Sequence, residues 1–198
     1  MGYAPSDIVF EIIKKYGISA NNTVLEIGCG EGRDAIYLLE KGYNLSATDV
    51  SQEAVNYCKS QYKEFADRFD LMDAVSGTTD KKFDYIYSVA VIHMLVEDED
   101  RQAFYSFIKE HLTENGIALI CTMGDGKTER KTDIGVAFDL GERVCEGETL
   151  LVAETSCRIV TAQTFEKELK DIGFEIIEQG YTSIENHFPV MMYAVVKR

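Results

Sequence analysis

The sequence predicts an α/β chain built on a mostly parallel sheet that ends in an antiparallel hairpin. Three observations carry this. Short apolar runs alternate with amphipathic stretches through five strands, the pattern of strands joined by crossover helices on both faces of a sheet. Two further runs, "FEIIEQ" and "VMMYAVVKR", close the chain with no helix between them, which makes that pair antiparallel and puts it at a sheet edge. Gly28, Gly30 and Gly32 crowd the turn after the first run, beside the first strand, where an open parallel sheet receives ligand.

Each element has its own signal. "PSDIVFEIIKKYG" sets Ile8, Ile12 and Tyr16 at steps of four, with Pro5 near the start and Gly17 past the end of a helix. "TVLEI" (23–27) is a buried strand between Asn and Gly. "RDAIYLLEKG" is a helix stopped by Gly42, with Lys41 in its last turn. "YNLSATD" is the second strand. "SQEAVNYCKSQY" is a helix capped by Ser51, with Val55, Cys58 and Tyr62 on one face. "RFDLMDA" and "FDYIYSVAV" (83–91) give the third and fourth strands. "EDEDRQAFYSFIKEHL" is a helix with Phe104, Phe107, Ile108 and Leu112 inward, and "GIALICT" (116–122) is the fifth strand. Residues 124–148 are Gly-rich, charged and the least regular part. "TLLVAETSCRIVT" reads as an extra strand or hairpin, and "TAQTFEKELKDIG" as a helix with Phe165, Leu169 and Ile172 at i, i+4, i+7.

Composition bounds the function. The 198 residues suit one domain spanning 1–198, and 45% hydrophobic content supplies its core. With 34 Asp+Glu against 20 Lys+Arg, the net charge is -14. That disfavours a nucleic-acid partner, whose phosphates are held by clustered Lys and Arg. Five cysteines without a CxxC pair, and no secretory signal, read as a reduced, cytoplasmic chain. No apolar run approaches the ~20 residues of a membrane span, so no membrane partner is expected. Oligomeric state has no signal here.

The glycine cluster exposes backbone to a ligand and permits angles other residues resist. A dinucleotide fingerprint reads G-x-G-x-x-G, but here the pattern is G-x-G-x-G and position 33 is Arg. Asp49, 21 residues after Gly28, suits a ribose diol in either nucleotide class. Glu26 is more telling: a carboxylate inside an apolar strand is costly unless paired, and a cationic ligand group would pair it.

The blocks "VLEIGCGEGRDAIYLLEKGYNLSATDVSQEAV", "LMDA" and "FDYIYSVAVIHML" resemble class I S-adenosylmethionine-dependent methyltransferases over nearly the whole chain. "GRDAIYLLEKGY" is similar to small-molecule enzymes of the tellurite-resistance and thiopurine type. The resemblance implies a Rossmann-like seven-stranded sheet and S-adenosylmethionine as cofactor, with S-adenosylhomocysteine as product. It implies that Gly28, Cys29 and Gly30 line the methionine portion, with Glu26 near the ammonium and Arg33 near the carboxylate. It implies that Asp49 takes the ribose hydroxyls and Val50 packs on the adenine. Asp73 would bond the adenine amino group with Ala74 alongside, and the Ser88 carbonyl would face the ammonium.

His93, after the fourth strand, is the candidate catalytic base, against a reading as packed core. His187 is a loop histidine that borders the pocket if the last strand does, and Tyr3 would cover the cofactor if the first helix were a lid. The acids of "VEDEDR" complement a helix N-terminus rather than hold a metal, and no metal site is expected. Cys29 needs no nucleophilic role, and "GDGK" lacks P-loop spacing. With only Pro5 and Pro189, the chain has neither a Pro-Pro-Tyr block for amino methylation of DNA nor a Pro-Cys pair for attack on cytosine. Segment 124–160 follows the fifth strand, where a substrate cover would sit. The expected activity is methyl transfer to a small-molecule acceptor by in-line attack. The alternatives are a nicotinamide-dependent oxidoreductase and a cofactor-binding protein without catalysis.

Overall fold

The computed structural model describes residues 5–133, 135, 140–145, 148–153, 156–184 and 188–198. Helix α1 (Asp7–Tyr16) ends on Gly17, in the left-handed conformation that closes a helix. Strand β1 (Thr23–Ile27), helix α2 (Arg33–Glu40), strand β2 (Asn44–Asp49), helix α3 (Gln52–Gln61) and strand β3 (Phe69–Leu71) follow in alternation. The Ser51 hydroxyl caps α3 by accepting from the Ala54 N–H at 3.2 Å. Strand β4 (Phe83–Val89), helix α4 (Asp98–His111) and strand β5 (Leu112–Met123) complete the parallel part. Leu112, expected inside the helix, opens β5 instead, and its backbone is extended, with ψ of 142°.

The segment expected to be least regular carries paired strands. β6 (Arg130–Lys131) pairs with β9 (Arg158–Ile159), and between them β7 (Leu140–Cys145) and β8 (Glu148–Ala153) form an antiparallel hairpin. Helix α5 (Ala162–Asp171) leads into β10 (Glu175–Ile184) and β11 (Phe188–Lys197), the terminal antiparallel pair.

The main sheet has seven strands in the order β10-β11-β5-β4-β1-β2-β3. β11 runs antiparallel to β5, while β1 to β5 are mutually parallel. β10 is one edge, and its register against β11 shifts between Ile176 and Glu178 and again between Thr182 and Ile184.

This order positions the site. The chain runs outward from β1 to β2 and β3, then returns to the other side of β1 as β4, so the connections leaving β1 and β4 part and open a crevice. Glu26 is in register with Tyr87 of β4, and alternation along each strand puts both on one face. One core layer joins Ile8, Ile12, Leu38 and Val55 to that face. The other joins Phe104, Phe107, Ile108, Phe165 and Leu169 to the opposite face, which are the helical positions expected to point inward.

Candidate functional site

Two cavities open at the carboxyl ends of the strands, about 650 Å³ and about 400 Å³ in volume, and both are lined by Gly28 and Ala90. Gly28 has φ 81°, and a Cβ built there would collide with Val91 Cγ2. The Gly28 and Cys29 N–H groups both donate to the Thr48 carbonyl, at 2.8 and 2.9 Å, which fixes the turn against β2. Ala90 sits opposite with φ 59°, the one non-glycine residue at positive φ among the described residues. Such a conformation persists only where its surroundings enforce it.

The larger cavity is lined by apolar groups and three carboxylates, Asp49, Asp73 and Asp100, of which the first two are fixed by local hydrogen bonds. Asp49 is held by backbone: Oδ2 accepts from the Gly30 N–H at 2.8 Å and Oδ1 from the Ser51 N–H at 2.9 Å. Asp73 accepts from the Val75 N–H at 2.9 Å and the Ser76 hydroxyl at 2.7 Å, so it caps its own turn while lining the cavity. Ala74 is buried beside it, whereas Val50 is 69% and Met94 47% exposed. Apolar side chains left open around two fixed acceptors suit a flat ring system with donors at two points.

The smaller cavity is polar on one side, with Glu26, Glu31, Arg33 and Asp34, and apolar on the other, with Val89, Ile184 and Phe188. Glu26 is 5% exposed, and among the described residues its Oε2 has no hydrogen-bond partner. Burial, reinforced by the Asp34 charge and opposed by the Tyr87 hydroxyl and Arg33, holds its carboxyl well above the usual glutamate range. An orphaned carboxylate oxygen in a cavity wall is completed by a cationic donor. Asp34 accepts from the Ser6 N–H at 2.7 Å and from Arg33 Nε at 3.3 Å, while Arg33 Nη2 donates to the Ser6 hydroxyl at 2.6 Å. The start of α1 is thereby pinned to the start of α2.

The fold brings Glu26, Gly28, Cys29, Gly30, Arg33, Asp49, Val50, Asp73 and Ala74 to these two cavities. Ser88 is not among them: it lies inside β4, 1% exposed, and the next residues, Val89 and Ala90, line the cavities. His93 stands in the 3-10 turn Ile92–Met94, 7% exposed, with Nδ1 unpartnered among the described residues and its ring edge-on to Phe188 at 5.6 Å. Burial, with the Arg101 charge, pulls its pKa down to about 4. It lines neither cavity; its neighbours Val91 and Met94 line the larger and Phe188 the smaller. Tyr3 and His187 lie outside the described residues. The sulfurs of Cys29 and Cys58 lie 3.9 and 3.2 Å from the same Gly30 carbonyl.

Sequence reasoning missed Asp34, Ala90 and Phe188; it placed the acids of "VEDEDR" at a helix N-terminus, where they are, but missed their long-range partners. Glu97 pairs with Lys131 at 2.8 Å and Asp98 with Arg158, so these acids dock the ends of the 124–160 segment as well as facing a helix N-terminus. The spacing of Asp34 after Gly32 was the one available signal: an acid in the first turn of a helix seeks backbone N–H groups.

The family model described as "Methyltransferase domain" matches residues 3–179. The ubiquinone biosynthesis O-methyltransferase of Rickettsia canadensis is 27% identical over 117 residues, 59% of this chain and 49% of that protein. The probable S-adenosyl-L-methionine-dependent methyltransferase TehB of Haemophilus influenzae is 28% identical over 99 residues, 49% of this chain and 34% of that one. The chain thus spans about half or less of the length of these curated relatives. Among solved structures, the glycopeptide N-methyltransferase MtfA complexed with S-adenosylmethionine superposes with a TM-score of 0.74 at 22% identity, over 99% of this chain and 96% of that one. At that identity the likeness is one of fold, and it extends to the seven-stranded sheet with its antiparallel end.

Proposed function

The chain belongs to the methyltransferase-domain family, and from that premise we propose that it transfers a methyl group from S-adenosylmethionine to a small-molecule acceptor. The observation that carries the reading is the unpartnered, buried Glu26 oxygen in a cavity that shares Gly28 and Ala90 with a slot holding two fixed carboxylates. A carboxylate awaiting a cation, bare backbone at Gly28, and acceptors at Asp49 and Asp73 fit the ammonium, thioether region, ribose and adenine of that cofactor in chain order.

When bound, the cofactor supplies a methyl group already activated by its sulfonium. Glu26 receives the ammonium, and Arg33, at the same cavity, serves the carboxylate. Gly28, Cys29 and Gly30 border the methionine portion with main chain. Asp49 is aimed by two backbone amides and accepts from both ribose hydroxyls. Val50 covers a face of the adenine, and Asp73 accepts from its amino group beside Ala74. Ser88 lines neither cavity, while the residues after it, Val89 and Ala90, do. His93 backs Phe188 rather than moving a proton, since a group with a pKa near 4 is a weak base at neutral pH. Val89, Ile184 and Phe188 exclude water from the acceptor side, where holding the nucleophile in line accounts for about 7–11 kcal/mol of barrier in favourable cases.

Segment 124–160 is assigned as the acceptor cover: it leaves and rejoins the fold at the β6–β9 ladder. An acidic chain with net charge -14 fits a small-molecule acceptor rather than nucleic acid. Among the described residues no helix is long and apolar enough to cross a membrane.

Asp49→Ala is expected to remain folded by circular dichroism and to bind S-adenosylhomocysteine about 10–100-fold more weakly by calorimetry, the worth of charge-assisted hydrogen bonds. Unchanged affinity would refute the ribose assignment. Formation of S-adenosylhomocysteine with a panel of acceptors tests turnover itself; binding without turnover on any acceptor leaves a non-catalytic binding protein, and preferential binding of a nicotinamide dinucleotide overturns the reading.

A further inference from the structure

The turn that follows β4 has its carbonyls gripped by side chains. Arg101 of α4, 1% exposed, donates Nη1 to the carbonyls of Ile92 at 2.7 Å and Leu95 at 3.3 Å. The Ser156 hydroxyl donates to the Met94 carbonyl at 3.0 Å, and Arg158 Nη1 to that of Val96 at 3.0 Å. Both arginines converge on Glu168 of α5. Arg101 meets it with Nε at 2.8 Å and Nη2 at 2.6 Å, Arg158 with Nη2 at 3.9 Å, and the Tyr105 hydroxyl adds a bond of 2.9 Å. A guanidinium is costly to bury. Here its planar fork fixes one carboxylate while its remaining N–H groups fix main chain.

That turn lines the larger cavity and reaches the smaller through Phe188. Val91, Met94 and Leu95 line the larger, Val91 stands against Gly28, and His93 packs on Phe188 of the smaller. We infer that Arg101, locked by Glu168, is a positioning residue for methyl transfer: it holds the turn Ile92–Leu95 as a fixed wall between the nucleoside slot and the acceptor side. The inference rests on the methyl-transfer reading of the cavities. A misplacement of about 1 Å far from the chemistry can cost 10²-fold, so a rigid wall here matters to the rate without touching a reacting atom.

The test uses the full chain carrying Arg101→Lys, which keeps the charge and loses the fork, and Glu168→Gln, which keeps the fork and loses its lock. Three quantities are read: S-adenosylhomocysteine affinity, hydrogen exchange of the 92–95 amides by mass spectrometry, and the His93 titration by NMR. Arg101 is the charged group acting on His93, and its other close neighbour, Phe188, does not titrate. Arg101→Lys is expected to weaken affinity about ten-fold and to speed exchange at 92–95 about ten-fold or more. The His93 pKa should stay near 4 and exchange in the rest of α4 and in α5 should be unchanged. Glu168→Gln should act in the same direction and less strongly. Unchanged affinity with unchanged exchange overturns the inference. So does faster exchange spread through α4 and α5, or failure of both variants to fold, because the pair then serves the fold at large. If the unaltered protein binds no S-adenosylhomocysteine, the cofactor reading falls, while exchange at 92–95 still decides whether Arg101 holds the turn.

Discussion

Gly28→Ala is expected to destabilise the protein by about 2–5 kcal/mol. Two costs add. A residue with a Cβ pays about 1–2 kcal/mol to sit in the left-handed region, where Gly28 has φ 81°. Its methyl would collide with Val91 Cγ2, and overpacking of this kind costs about 1–3 kcal/mol. For a chain of this size the unfolding midpoint should fall by roughly 5–15 °C. Val91 lines the larger cavity, so the displaced side chain should also narrow it, and S-adenosylhomocysteine binding should be lost in calorimetry. Gly30→Ala is the control: at φ 53° with nothing within 4 Å of its added Cβ, it should carry the conformational cost alone. Equal effects from the two substitutions would contradict the steric argument.

Glu26→Gln is expected to separate stability from binding. The Glu26 carboxyl is held well above its usual range by burial, then by Asp34. Below the ordinary glutamate value, about 4.3, the folded and unfolded chains both carry the proton. As pH rises past that value the unfolded chain ionises first, so the ligand-free protein loses stability until the folded group ionises too. Each pH unit in that window costs about 1.4 kcal/mol. Glutamine removes this loss, so the variant should melt higher than the parent at pH 8 and match it near pH 4. The same change removes the counter-ion proposed for the cofactor ammonium and should weaken binding by about 2–5 kcal/mol. Thermal melts at the two pH values and one titration check both signs. A variant that melts lower at pH 8 would mean that Glu26 is ionised and paired without the cofactor.

The sequence carried the order of strands and helices because each element's signal is local: period two or period 3.6, a cap, a stopping glycine. The lining of the larger cavity was legible for the same reason, since Gly28, Gly30 and Asp49 sit at element ends that the pattern locates. Contacts across long sequence separations were not legible. Nothing local says that Asp98 meets Arg158 or that Glu97 meets Lys131, so those acids read as helix-dipole partners. Nor does anything local say that the Arg101 guanidinium lies against Ile92, Leu95 and Glu168. Leu112 fitted the helical period and still became strand, because pairing with Phe83 in β4 claims it. His93 in an apolar context was ambiguous by nature: only the packing of Phe188 could say which way its ring faces.

The outer strand β10 has a consequence for how the molecule behaves in a crowd. A ten-residue strand with one open side is a template on which another chain can lay its own backbone and begin to aggregate. Here the ladder slips twice along its length, and Glu175 and Gln179 stand exposed on it. Unpaired N–H and C=O groups are therefore not presented in one long straight row, an arrangement that disfavours edge-to-edge pairing.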